Sequence, residues 1–91
     1  MPVTVRVPTP LRKLAQDQAE VQLEATSVAE LLDALEASFG GIKARLCDES
    51  GKLRRFVNIY VNEEDIRFLQ AEATPLEDGA RVTIVQTISG G

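Results

Sequence analysis

The chain has 91 residues, 44% apolar and 26% charged, which allows one small domain with a single core. It contains no histidine, no tryptophan and one cysteine, Cys47. Those counts argue against imidazole-based catalysis, an internal disulfide, a CxxC redox pair, a four-thiolate iron–sulfur site and the usual transition-metal sites. Fourteen acids against ten bases leave a formal charge of −4, and Arg54-Arg55, a solvated pair, is the nearest thing to a basic stripe. Nucleic acid is therefore not an expected partner. No apolar run approaches the ~20 residues that span a bilayer, and Met1–Val7 has no signal-peptide core. The expected setting is a reducing cytoplasm.

In chain order, Val3, Val5 and Val7 alternate with Thr4 and Arg6, the pattern of a half-buried strand. Pro8 and Pro10 interrupt it, and Leu11 and Leu14 are placed to tuck a turn against the core. Val21 and Leu23 alternate with Gln22 and Glu24 in a second strand, expected to pair with the first across the long connection Thr9–Gln18. Ser27-Val28-Ala29-Glu30 then reads as a capping box. Val28, Leu31, Leu32, Leu35 and Phe39 share one helical face, and Glu30, Asp33 and Glu36 fall mostly opposite. A helix over Val28–Ser38 follows, ended by Gly40-Gly41.

Ile42 and Leu46, four apart, suggest one further helical turn before the loop Asp48–Gly51. Cys47 reads as a small, part-buried thiol, with Asp48 and Glu49 disfavouring its thiolate. Phe56–Val61 is dense in β-branched and aromatic residues and reads as the strongest strand. Alternation puts Val57, Ile59 and Val61 on a core face and Phe56, Asn58 and Tyr60 on the other. Asn62–Asp65 is expected to turn the chain into a short return strand, Ile66–Phe68. Thr74–Gly79 is another turn, and Arg81–Val85 is the last strand. Glu63, Glu64 and Asp65 are adjacent on a turn and point apart, so no metal site is expected there.

Two strands, a helix and further strands describe an α+β roll. One helix face must cover one sheet face, and crossovers are right-handed. The β-grasp (ubiquitin-like) arrangement fits best: a mixed sheet of four to five strands, first and last adjacent and parallel at its centre, with one main helix across it. A ferredoxin-like fold needs a second long helix, for which Gln70–Asp78 is too short. Residues 1–88 form the domain and residues 89–91 a flexible tail, Ser89-Gly90-Gly91.

Several features together carry a resemblance. They are the helix ending at Gly40-Gly41, the run Phe56-Val57-Asn58-Ile59-Tyr60-Val61-Asn62, the Asp78-Gly79 turn and the final Gly90-Gly91. Over essentially its whole length the chain resembles the ubiquitin-like prokaryotic sulfur carriers, the family of the molybdopterin synthase small subunit and the thiamin sulfur carrier. The stretch Arg55–Phe68 looks most like the carrier serving cysteine biosynthesis. The approach Val85-Gln86-Thr87-Ile88-Ser89 lacks the proline usual in the molybdopterin branch.

The resemblance implies a protein co-substrate rather than an enzyme. An adenylating partner would use ATP to activate the Gly91 carboxylate, and a sulfur donor would then convert it to a thiocarboxylate. A synthase would consume that sulfur, either a cysteine synthase-like enzyme or the molybdopterin synthase large subunit. Gly90 and Ser89 would enter the partner's active site, where small residues pass a narrow channel. Ile88, Tyr60, Phe56 and Phe68 are the candidate partner interface. A ubiquitin-like modifier joined through Gly91 to lysines, and a plain interaction domain with an inert tail, are the competing readings. The chain is not expected to bind a cofactor or metal of its own.

Overall fold

The computed structural model describes residues 2–86. Five strands are present: β1 (Val3–Arg6), β2 (Glu20–Leu23), β3 (Val57–Val61), β4 (Glu64–Asp65) and β5 (Arg81–Gln86). Two helices, α1 (Val28–Ser38) and α2 (Ile42–Leu46), lie between β2 and β3. The sheet order is β2-β1-β5-β3-β4, with β1 and β5 parallel at the centre and the other pairs antiparallel. This is the β-grasp roll that the strand and helix pattern implies; the described residues contain no second long helix of the kind a ferredoxin-like fold needs.

Period-2 alternation divides the sheet into two chemically different faces. Val3, Val5, Val21, Val57, Ile59, Val61, Val82 and Ile84 are buried and form one of them. Against these pack Val28, Leu31, Leu32 and Leu35 of α1 and Ile42 and Leu46 of α2. Burying a side chain such as Leu35 fully contributes about 1.5–3 kcal/mol. The opposite face presents Thr4, Arg6, Gln22, Asn58, Tyr60, Thr83 and Val85, none of them buried. Across it Arg6 stands opposite Glu20, and Tyr60 lies between Thr83 and Asp65.

The helix α1 begins on a side-chain bond to the backbone and ends on a backbone bond, Phe39 N–H donating to Leu35 O. Ser27 is the N-cap, its Oγ accepting from the Glu30 N–H at 3.2 Å. The return bond of the box lands one residue earlier than expected: Glu30 Oε1 accepts from the Thr26 N–H at 3.1 Å. Ser27 is itself bridged to Pro75, with Val28 N–H donating to Thr74 O and Leu76 N–H to Thr26 O. That bridge ties the start of the helix to the loop before β5. The expected glycine stop is not the cap of α1, which is Phe39; the left-handed Gly41, at φ 96°, is instead the N-cap of α2. The Glu36 carboxylate accepts from Gly41 N–H and Lys43 N–H and so caps α2. Those backbone bonds, Gly41 first, hold the Glu36 carboxyl below its ordinary range.

The connection between β1 and β2 is a 3-10 helix, Thr9–Ala15, which buries Leu11 and Ala15 and packs Leu14 partly against the core. The region after β3 departs from expectation. The turn is only Asn62-Glu63, both at positive φ (49° and 75°), the geometry of a tight two-residue hairpin. Asn62 secures it, its Oδ1 accepting from the Arg81 N–H at 3.0 Å. The return strand is therefore Glu64–Asp65, and Ile66–Phe68 is a 3-10 turn rather than a strand. The reason is local: Asp65 Oδ1 accepts from the Arg67 N–H at 2.8 Å, a cap that bends the chain out of the sheet.

Candidate functional site

The residues singled out by sequence occupy three different settings. Tyr60 is half-buried on the outward face of β3. Phe56 immediately precedes β3 and packs partly against the hydrophobic core. Phe68 is 85% exposed on the 3-10 turn after β4. Ile88, Ser89, Gly90 and Gly91 lie outside the described residues, as does the division between domain and tail.

What the structure does supply is the point from which those last residues depart. β5 runs parallel to β1 through the centre of the sheet, and its final residue, Gln86, pairs with Val57 at the start of β3. The described chain therefore stops at the end of the sheet where β3 begins. Arg55 and Phe56 stand just before β3 at that end. Arg81, at the far end of β5, meets Asn62 instead. A cleft of about 330 Å3 at that far end is lined by Thr4, Arg6, Glu20, Asn62, Glu63 and Arg81, among others.

A second cleft, about 270 Å3, lies at the end where β5 finishes. Lys52, Leu53, Arg54 and Arg55 line one side of it and Asp65, Ile66 and Arg67 the other, with Val57 and Ile59 also in its wall. Arg67 and Asp65 form an ion pair at 2.7 Å, which holds the Asp65 carboxyl below the usual range. Arg54 is braced by its Nε, which donates to Ala44 O at 3.1 Å. The basic pair that sequence marks as merely solvated thus belongs to a larger basic group. Arg67, twelve residues further along, joins it only because the chain folds back beside β3.

Cys47 is 3% exposed, more deeply buried than sequence suggests, and is bridged to Leu53. Burial is the chief cause that pushes its thiol pKa up, with Glu72 and Asp48 adding to it and Lys43 opposing. The thiolate is the nucleophilic form, so this residue is poorly placed to accept or pass on sulfur. Among the described residues no group of three or more acidic or thiol side chains is arranged to hold a metal. No helix among them is long and apolar enough to cross a membrane.

Comparison with known proteins bears directly on the fold and its use. "Sulfur carrier protein CysO" of Mycobacterium tuberculosis is 46% identical over 93 residues, covering 100% of both chains. The crystal structure of the Amycolatopsis orientalis BexX/CysO complex contains a chain that superposes with a TM-score of 0.91 at 42% identity, covering 98% of this chain and 99% of that one. The crystal structure of Mycobacterium tuberculosis CysO gives a TM-score of 0.89 at 45% identity, over 94% and 99% of the two chains. The ThiS family profile matches residues 5–91, nearly the full length. With a β-grasp core leading into a diglycine sequence and relatives of this similarity, the chain belongs to the ThiS family of ubiquitin-like sulfur carriers.

Proposed function

We propose that this carrier is loaded at Gly91 and delivers its sulfur to a cytoplasmic synthase of cysteine formation. The observation that carries the reading is the central β5, whose last residue, Gln86, is paired with Val57 in the sheet five residues before Gly91. A firmly held strand followed by small residues lets the domain dock outside an enzyme while the last residues reach inward. The 46% identity to a protein named as the sulfur carrier CysO supports the branch.

Loading proceeds in two balanced steps. A Gly91 carboxylate oxygen attacks the α-phosphorus of ATP on a ubiquitin-activator-like partner, and pyrophosphate leaves. Hydrosulfide, or an equivalent donor, then attacks the acyl carbon; AMP leaves with the bridging oxygen, and the thiol proton goes to solvent or base. The product is a thiocarboxylate, and the chain serves as co-substrate of the synthase that consumes it. The complex of a related CysO with BexX supports docking of a folded carrier on a partner protein.

Whole-protein mass spectrometry after incubation with the activating enzyme, ATP and sulfide tests this reading. The expected gain is about 16 Da, one oxygen replaced by sulfur. Deletion of Gly91 should abolish the gain and leave the melting temperature unchanged. High-mass conjugates in place of the gain would overturn the carrier reading in favour of a modifier, and no change at all would overturn both.

A further inference from the structure

The chain is acidic overall, with a formal charge of −4, yet one part of its surface is basic. Lys52, Arg54, Arg55 and Arg67 line the 270 Å3 cleft, and all four are exposed. The carboxylates lining it are Asp65 and Glu72. Asp65 is engaged by Arg67, whose Nε and Nη2 both donate to it. The remaining walls come from Leu53, Val57, Ile59, Ile66 and Ala71, with Asn58 the one uncharged polar residue. Directly after Arg67 come Phe68 and Leu69, the large hydrophobic side chains exposed among the described residues, at 85% and 39%.

Position gives this surface its meaning. Val57 lines the cleft and is also the residue paired with Gln86, the last of β5. β5 therefore ends next to a strand that lines the cleft. An enzyme that receives the residues after β5 must come against this end of the domain. An exposed phenylalanine directly after one of the cleft's cations is suited to an anchoring contact, and complementary charge orients the encounter.

We propose that the Lys52–Arg55/Arg67 cleft, with Phe68, is the docking surface for the activating enzyme, whose facing surface carries acidic side chains around an apolar socket. The inference rests on the carrier reading above, and adds which surface meets the loading partner and the chemistry of that partner. On a chain with this net charge, an acidic partner surface is repelled elsewhere and accepted here, so the patch sets orientation as well as affinity.

Loading rates measured against carrier concentration, with purified ubiquitin-activator-like enzyme, ATP and sulfide, provide the test. The double variant Lys52→Glu/Arg55→Glu is expected to raise KM about tenfold or more, with kcat within about twofold of the parent. Phe68→Ser should raise KM several-fold in the same way. Raising salt from about 50 to about 500 mM should increase the parent's KM and lower that of the double variant, in which like charges face each other. Lys13→Glu, on the 3-10 helix between β1 and β2, is the control and should load like the parent. The proposal is overturned by variants with parental KM, by a loss confined to kcat, or by an equal effect in Lys13→Glu. If circular dichroism shows the double variant unfolded, Phe68→Ser decides, since that side chain supports no core. A parent that loads while every variant matches it defeats the docking surface alone; a parent that takes up no sulfur defeats the carrier reading and this inference with it.

Discussion

The helix–sheet core and the segment from Glu63 to Thr74 sort their side chains differently, although Ile66 of that segment is buried with the core. In the core, Val28, Leu31, Leu32 and Leu35 face inward, and Glu30, Asp33 and Glu36 remain at or near the surface. In the segment after β3, the buried polar residues are Asp65 and Thr74, while Phe68 and Leu69 are exposed. The inversion has a physical cause. Regular elements satisfy their backbone groups through the helix or the sheet ladder and leave side chains to follow hydrophobicity. Two short 3-10 turns cannot do so, and they recruit side chains instead. Asp65 takes the Arg67 N–H, and Thr74 Oγ1 accepts from the Gln70 N–H and donates to Ala71 O. With Asp65 and Thr74 directed inward, Ile66 joins the core, and Phe68 and Leu69 are left outside. Scaffold and recognition surface are thereby separated.

Substitutions on the two sides should differ in kind, and the largest effect belongs to the core. Leu35→Ala should cost about 2–5 kcal/mol in chemical denaturation, because a fully buried leucine leaves a cavity. A cost below that range would mean that α1 packs less tightly on the sheet than its burial indicates. Thr74→Val should cost about 1–2 kcal/mol, since it strands the Gln70 N–H and the Ala71 carbonyl that the buried hydroxyl now joins. If the variant is as stable as the parent, the side-chain scaffold of this segment is dispensable and the contrast fails.

Asp65→Asn keeps an acceptor for the Arg67 N–H but removes the charge, so about 0.5–1 kcal/mol is expected, limited by the exposure of Arg67. Here pH sharpens the comparison. The folded-state pKa of Asp65 is depressed by Arg67, so its charge contributes stability above the unfolded value and loses it as pH falls through the folded one. Thermal melts of parent and variant should keep a constant gap near neutrality and converge below about pH 4. A gap that persists at low pH would assign the effect to packing. Phe68→Ser stands last, with stability changed by no more than about 0.5 kcal/mol at a side chain 85% exposed. A larger loss would show that Phe68 serves the fold and is not reserved for a partner.

Much of the architecture is written in local patterns. The bounds of α1, the inward set Val57, Ile59 and Val61, and the parallel central pair of strands all follow from period, cap and order of elements. The short second helix does too, from Ile42 and Leu46 alone. Where the reading slipped, a side chain had taken over a backbone bond. Ile66–Phe68 has strand-like composition, but the Asp65 cap turns it into a 3-10 helix. The long connection Thr9–Gln18 carries no clean period because its 3-10 helix buries Leu11 and Ala15 at a spacing shared by several structures.

Sequence by itself determined the β-grasp class, the two faces of the sheet and the diglycine at which sulfur chemistry is proposed. Those depend on period, propensity and residue type, which act over a few neighbouring positions. Tertiary structure alone decided that Gln86 lies beside Val57, that Cys47 is sealed from solvent, and that Arg67 joins Lys52, Arg54 and Arg55 around one cleft. Each depends on segments far apart in the chain being brought together by a shared core, and no local pattern encodes that proximity.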